Sequence, residues 1–461
     1  MAKAKAAGKA ATGKKLPDGA KKLGVALGDR AKPGDRIRVS CGGDEYTGIL
    51  LPNDSGPDFL HLKLSTGYNI GIRSSRVKGI AVLEQGTAKL YGATDKKQAG
   101  GKLPSPGGKV SLLACGGTIV NRIDYRSGAV YPASTTDELL AGLPESARNT
   151  VRPRMMFPVA SEDLTPAHWA KLAEAAAEDI KGGAQGVVLT HGTDIMHYTS
   201  AALSFMLQDL PAPVILTGSQ RSSDRGSSDA EQNLRSSLAA ARADLSGVFI
   251  CMHENLSDDF CALHFGTKAR KMHTTRRDAF RSVNVLPAAR VFAANEKVEK
   301  ISPNCPARKP GASLSLDTRM NTNVALQYVY PGIKPKMISA LSDYDGVVLV
   351  GMGLGHLPTN LGKDPLSMPI FKEVSALVQS GIPVFLASQC IYGRVDMDVY
   401  TNGRALKDAG LIGNLCDMTP ETAFVKLMWV LGHEKKPEKV KQEMETSLVG
   451  EISDRTEIVP Y

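Results

Sequence analysis

Two short stretches carry the residue types that acyl-transfer chemistry needs. The first is Leu112-Leu113-Ala114-Cys115-Gly116-Gly117-Thr118-Ile119, where an apolar run enters, two glycines turn the backbone and a hydroxyl is left at the turn. The second is Val187-Val188-Leu189-Thr190-His191-Gly192-Thr193-Asp194, again a buried-strand pattern that ends in glycine, hydroxyl and carboxylate. A Thr hydroxyl is almost wholly protonated at neutral pH, so it attacks a carbonyl only with a base beside it and donors for the oxyanion it creates. Gly116 and Gly117 allow close approach of backbone to substrate. Thr193 and Asp194 add a second hydroxyl and a carboxylate ahead of a helix. The companion expected for a buried Asp is a Lys, which acts as a base once burial lowers its pKa. Periodicity does not pick one among the many present. His191 invites a Ser-His-Asp reading, but no G-x-S-x-G elbow occurs, and a structural role is expected for it.

The elements that position these residues follow from hydrophobic patterning. Val110 to Ala114, Gly186 to Thr190, Pro213 to Thr217 and Val248 to Met252 are near-continuous apolar runs, as in strands covered on both faces. Between them His168 to Ile180, Ile195 to Gln208 and Asp229 to Ala243 read as helices, the first opened by Thr165 as N-cap and Pro166. Alternating β and α of this kind implies a parallel, doubly wound sheet, whose ligands bind beyond the carboxyl ends of the strands. Thr118, Thr193 and Asp194 would stand there. A second α/β unit has strands at Gly346 to Val350 and Pro383 to Ala387, with helices near Phe371 to Gln379 and Pro420 to Leu431.

The α/β region is preceded by short β-rich segments: Arg36 to Val39, Tyr46 to Leu51, His61 to Leu64 and Asn69 to Ile72. Turn residues such as Cys41-Gly42-Gly43-Asp44 separate them, as in a small β-barrel or sandwich. The expected organisation is a basic disordered arm over 1–33, a small β-barrel domain over 34–92 and a linker over 93–108. An N-terminal α/β domain carrying the active site covers 109–301, followed by a connector over 302–320. A C-terminal α/β domain covers 321–432, and a charged tail with a short helix covers 433–461.

With 461 residues, 42% hydrophobic and 22% charged, the chain has the composition of a soluble globular protein of two or three domains. No apolar stretch is long enough to span a bilayer and no signal-peptide core is present, so a cytoplasmic protein is expected. Seven cysteines without a C-x-x-C pair indicate neither a disulfide framework nor a zinc ribbon. The net charge of +9 is concentrated at the start, where residues 1–32 hold nine Lys or Arg against Asp18 and Asp29. Such an arm either solubilises or holds phosphate backbones without sequence preference, and composition does not separate the two. No P-loop is present, and Gly351-Met352-Gly353-Leu354-Gly355 lacks the full dinucleotide spacing, so these glycines are expected to shape a strand-to-loop turn.

Cys-Gly-Gly-Thr-Ile (115–119) followed by His-Gly-Thr-Asp-Ile-Met (191–196) resembles the paired signatures of bacterial-type L-asparaginases and glutaminases. The likeness continues through Ser161-Glu162-Asp163, Leu216 to Arg221 and Phe280 to Asn284, over about Lys109 to Gly432. It implies an asparaginase-like fold of two α/β domains with parallel sheets and a side-chain amidohydrolase. By position in those motifs Thr118 would be the nucleophile and Tyr125 the loop residue that helps activate it. Thr193, Asp194 and Lys271 would form a second triad, while Ser161, Glu162 and Asp194 would hold the substrate's α-amino and α-carboxyl groups. The sequence departs from the family pattern at Cys115 and Ile195, both usually Thr, and at Glu162, often Gln. A Cys115 nucleophile is the rival to Thr118; against it, no His partner stands in the family frame, and a strand-end Cys is commonly a small buried hydrophobe.

Standalone asparaginases lack the leading β-domain. Together with Gly67 to Ile72 and Leu448 to Arg455, that domain makes the chain similar to the D subunits of archaeal glutamyl-tRNA(Gln) amidotransferases. This resemblance implies release of ammonia from Gln or Asn. A partner, the amidotransferase's E subunit, would use ATP and Mg to activate Glu on tRNA(Gln), within a heterotetramer built on a homodimer; this chain itself would hold no cofactor or metal. A freestanding L-asparaginase with an accessory domain, and an inactive RNA-binding scaffold, are the alternatives.

Overall fold

The computed structural model describes residues 31–51, 58–64, 69–86, 109–117, 119, 121–123, 130–132, 148–221 and 228–455. The chain divides into two compact units. The smaller carries β1 (Arg36–Cys41), β2 (Asp44–Leu50), β3 (Phe59–Leu64), β4 (Asn69–Arg73) and β5 (Gly79–Glu84), in one antiparallel sheet ordered β4-β3-β2-β1-β5. Alternation builds it: Ile37, Val39, Leu60 and Leu62 are buried, while Arg36 and Arg38 lie opposite them and face Glu84 and Glu45. Gly42 and Gly43 have φ of 62° and 122° and make the tight turn between β1 and β2. The four strands expected from alternation are present. The fifth, β5, carries a weaker signal: Ile80 and Val82 are only partly buried against this core, and apolar Ala81 and Leu83 face outward.

The larger unit carries an eight-stranded mixed sheet. Its strands are β6 (Val110–Ala114), β9 (Val151–Met155), β10 (Gly186–Thr190), β12 (Pro213–Thr217), β13 (Gly247–His253), β14 (Cys261–Phe265), β17 (Ala289–Phe292) and β18 (Lys297–Lys300). The order is β18-β17-β14-β13-β12-β10-β6-β9. Strands β13 to β9 are parallel, as the apolar runs imply, and β14, β17 and β18 extend the sheet antiparallel. Helices α1 (Pro166–Lys181), α2 (Met196–Met206) and α3 (Ala230–Arg242) pack against it. In α1 Thr165 and His168 form a reciprocal cap, with Pro166 as first helical residue. Helix α2 stops earlier than its apolar pattern, because Leu207–Gln208 (β11) pairs with Ser315–Leu316 (β19). A short pair also joins β15 (Ala269–Lys271) to β16 (Phe280–Ser282), while the pair Asn121–Ile123 (β7) with Val130–Pro132 (β8) groups with the smaller unit from Arg122 to Tyr131.

The C-terminal part is a parallel sheet ordered β20 (Val324–Tyr328), β21 (Gly346–Gly351), β22 (Val384–Ser388). Its helices are α4 (Pro335–Ser339), α5 (Phe371–Gln379), α6 (Thr401–Asp408) and α7 (Pro420–His433). After β21, Gly353 and Gly355 take φ of 55° and 98° and turn the chain, as expected of these glycines. Trp169 and Trp429 are buried in the core.

The stretch expected as a charged tail is built into the fold up to Arg455. Helix α8 (Pro437–Glu445) buries Val440 and Met444 against α7, and the Glu451 carboxylate is fully buried on Lys426. Charge density at the surface of α8 hides this in the sequence, since only two of its nine residues face the core. Among the described residues no helix is long and apolar enough to cross a membrane.

Candidate active site

Strands β6 and β10 lie side by side in parallel register, Ala114 opposite Thr190, so the chain leaves both at the same edge. Beyond that edge three segments meet at backbone distance. A Cβ on Gly117, whose φ is 87°, would stand 2.5 Å from the Gly192 nitrogen; one on Gly192 would stand 2.6 Å from the Ser161 Cβ. A Cβ on Gly116 would reach the Val159 carbonyl oxygen at 2.5 Å. Glycine is required at these places because a side chain has no room, and at 116 and 117 also because φ is positive. The turn after β6, the turn after β10 and the segment after β9 are thereby locked together.

From this junction the chain presents Thr193 and Asp194. Lys271, at the end of β15, donates from Nζ to Thr193 Oγ1 and to Asp194 Oδ1, both at 2.8 Å. The structure thus joins three expected residues from two segments 77 positions apart. It places the Lys in the protected position and the carboxylate in the open: the Lys271 side chain is 11% exposed and that of Asp194 66%. The expectation of a buried Asp is therefore inverted. An open carboxylate beside a buried ammonium leaves Asp194 able to bind a second cation, such as a substrate α-amino group, while still orienting Lys271.

Ser161 is buried against Gly192, in a short 3-10 turn (Ser161–Asp163), and its hydroxyl donates to Glu162 Oε2 at 3.3 Å. Thr118 and Tyr125, expected as nucleophile and activator, lie outside the described residues, although their neighbours Gly116, Gly117 and Ile119 are described. Cys115 is fully buried with its N–H on the Thr190 carbonyl, and burial pushes its thiol well above the usual range. A thiol held protonated in the core is no nucleophile.

His191 takes the structural role expected of it. Its Nδ1–H donates to the Gly192 carbonyl at 2.5 Å, so Nε2 is left to accept the Thr199 hydroxyl at 3.0 Å. Burial pushes its pKa down to about 4, so the ring is neutral and staples the turn to α2. Sequence reasoning missed Thr199, which lies in the first turn of α2 and is brought to His191 only by the way the chain turns between β10 and that helix. The third strand end, after β12, is fixed by Asp229. Its carboxylate accepts the N–H groups of Gln220 and Arg221 and the Asn233 amide, though burial raises its pKa against them.

A consequence for stability follows from the buried histidines. Burial pushes His191 to about 4, and His197 and His264 to about 3 each. The unfolded chain, with His near 6.5, binds protons that the folded chain refuses. Their stabilising contribution is complete above about pH 6.5 and is lost as pH falls toward the folded values, at up to about 1.4 kcal/mol per pH unit for each histidine. Thermal melts are expected to show a falling midpoint between pH 6.5 and 5, before most carboxylates titrate; a flat midpoint over that window contradicts this.

A cleft of about 730 Å³ opens elsewhere, between Gly247-Val248 at the start of β13 and the segment Ser447 to Arg455. Thr193, Asp194 and Lys271 do not line it.

Family models match three consecutive parts of the chain. They are the GatD N-terminal domain over residues 31–83, the asparaginase N-terminal domain over 109–304 and the glutaminase/asparaginase C-terminal domain over 323–444. The D subunit of glutamyl-tRNA(Gln) amidotransferase from Pyrococcus abyssi is 43% identical over 441 residues, covering 93% of this chain and 96% of that protein. The chain belongs to the family of glutamyl-tRNA(Gln) amidotransferase D subunits. The D subunit from Methanothermobacter thermautotrophicus is 44% identical over 93% of this chain and 95% of its own. Among solved structures, the thermostable L-asparaginase from Thermococcus kodakarensis superposes with a TM-score of 0.66 at 31% identity. L-asparaginase I from Vibrio cholerae gives 0.63 at 29%. Both are covered to 99% of their length by 75% of this chain, so the asparaginase-like part is complete and the remainder is additional. The resemblance read from the paired motifs is thus established, and a freestanding asparaginase is the less favoured reading.

Proposed function

We propose that this chain is the ammonia-releasing, asparaginase-like subunit of a tRNA-dependent amidotransferase. The observation that carries the chemistry is the Lys271 ammonium shared by Thr193 and Asp194, beside the locked junction of Gly117, Gly192 and Ser161. In this reading the Thr118 hydroxyl attacks the side-chain amide carbon of Gln or Asn, with Tyr125 assisting its deprotonation. Backbone N–H groups at the glycine turns stabilise the oxyanion. Collapse of the tetrahedral adduct expels the amide nitrogen, which takes up a proton and leaves as ammonia. Water, oriented by the Thr193 hydroxyl that the Lys271 ammonium holds, then adds to the Thr118 ester carbon; its proton returns to the departing Thr118 oxygen and Glu or Asp is released. Ser161, Glu162 and Asp194 hold the zwitterionic end of the substrate, so that the amide meets the hydroxyl in one orientation.

The family pairs this activity with a second protein. That partner, the amidotransferase's E subunit, would bind ATP and Mg and activate the Glu carried by tRNA(Gln); the ammonia made here would then amidate it. The assembly would be a heterotetramer around a homodimer of this chain, working in the cytoplasm. The deciding experiment copurifies the chain with its partner and measures Gln hydrolysis with and without ATP and Glu-tRNA(Gln). Gln-tRNA(Gln) formation, with hydrolysis rising when both are supplied, is the expected result. Hydrolysis indifferent to partner, ATP and charged tRNA contradicts the coupled reading and leaves a freestanding amidohydrolase.

A further inference from the structure

The residue that joins Thr193 and Asp194 does not sit on the strands that carry them. Lys271 stands on the hairpin β15–β16, whose strands are three residues each and pair Lys271 with Phe280. A ladder this short does not hold a side chain to a fraction of an ångström unaided. Along β15 the side chains alternate, so Ala269 and Lys271 share one side and Lys268 and Arg270 the other. Ala269 is in the core. Lys268 and Arg270 both meet the segment that leads into α7.

That segment grips the hairpin at four points. Lys268 Nζ pairs with Asp417 Oδ1 at 2.8 Å, with both side chains at least 98% buried. The Arg270 guanidinium pairs with Glu421 Oε1 at 2.9 Å, where Glu421 lies in the first turn of α7 and is itself buried. The Thr422 hydroxyl donates to the Thr267 carbonyl at 2.9 Å. At the other end of the hairpin Asn284, held at a φ of 63°, donates to the Asp417 carbonyl at 3.0 Å. One buried and one half-buried ion pair, with two buried hydrogen bonds, thus fix one face of a hairpin whose other face delivers Lys271.

We propose that residues 417–422 of the C-terminal domain act as a clamp that sets the position of Lys271, with Glu421 and Thr422 as positioning residues for the reaction. The inference rests on the assignment of Lys271 above and adds to it a role for the second α/β domain. The first domain supplies Thr193 and Asp194; the second holds the Lys that must meet them. Loosening the clamp lets the ammonium drift from the Thr193 hydroxyl, while Ser161, on a different segment, still binds substrate. The loss therefore appears in kcat and not in KM. Misplacing a reacting group by an ångström costs up to about a hundredfold in rate.

The test measures Gln and Asn hydrolysis by the full chain copurified with its partner, in Glu421→Gln, Glu421→Asp, Thr422→Val and Thr422→Ser. Glu421→Gln is expected to lower kcat by roughly ten- to a hundredfold with KM within about twofold, and Glu421→Asp to recover most of it. Thr422→Val lowers kcat in the same way with every charge intact, and Thr422→Ser retains it. Should Glu421→Gln not fold, the Thr422 pair decides. Folded Thr422→Val with unchanged kcat overturns the proposal, as does a loss that scales only with the fraction of folded protein. Thr118→Ala and Lys271→Met run alongside separate the two levels. If either keeps full activity the underlying assignment fails; if both are inactive and the clamp variants are normal, the clamp alone fails.

Discussion

Replacing Thr118 by Ala is expected to reduce ammonia release from Gln and Asn by at least about a thousandfold, because no other group in the turn can form the covalent ester. Substrate affinity, assigned in the proposed reading to Ser161, Glu162 and Asp194, should change little, so the loss lies in kcat. The matching control is Cys115→Ser. Cys115 is fully buried and its thiol is held protonated by burial, so exchanging sulfur for oxygen touches no reacting atom. Cys115→Ser should keep kcat within a few-fold of the parent and cost stability instead, since it buries a hydroxyl in place of a small hydrophobe. Steady-state ammonia assays on the two variants separate the nucleophiles. Full activity in Thr118→Ala, or its abolition in a folded Cys115→Ser, reverses the assignment.

The second large effect concerns stability. Lys426 is fully buried in α7, with Nζ 2.6 Å from Glu451 Oε1 and bonded also to the carbonyls of Met444 and Thr446. Glu451 in turn accepts the N–H groups of Leu448 and Val449 at 3.0 and 2.8 Å. Burial lowers the pKa of the Lys426 ammonium, and its partners offset this. Lys426→Met removes one charge and strands the other in the core, which costs about 3–5 kcal/mol. In calorimetry this should lower the melting temperature by roughly 5 °C. Lys426→Met with Glu451→Gln should recover more than half of the loss, because the Gln carbonyl still accepts from Leu448 and Val449 and no charge is left unpaired. A single variant that melts within a degree or two of the parent contradicts this account. The pair shows why residues after Gly432 are no tail: two opposite charges, each of a type that usually faces solvent, are buried through each other.

Elements with strong local signals were legible. Val110–Ala114, Gly186–Thr190 and Pro213–Thr217 are apolar throughout and end where the patterning ends. Strand β9 was not, since Val-Arg-Pro-Arg-Met holds a proline and two arginines; it is tolerated as the edge of the sheet, where one side needs no donors. At the opposite edge β18, Lys-Val-Glu-Lys, is equally polar and equally hidden, for the same reason. The site divides in a similar way. Thr193 and Asp194 stand out at a strand end, whereas Lys271 is reached only through family spacing because no periodicity connects residues so far apart.

Local chemistry decided the glycine turns, the Thr193 hydroxyl beyond β10 and the parallel strands β6 and β10 whose ends share one edge, since each depends on residues within a few positions. Tertiary structure alone decided which cation meets Thr193 and Asp194, that Asp194 and not Lys271 faces solvent, and that Gly192 must leave room for Ser161. It also decided that Cys115 is sealed in the core. These are properties of approach between distant segments, set by how sheets and helices close around one another. A pattern along one chain shows which groups are available, and only packing fixes their separations to within the few tenths of an ångström on which proton transfer depends.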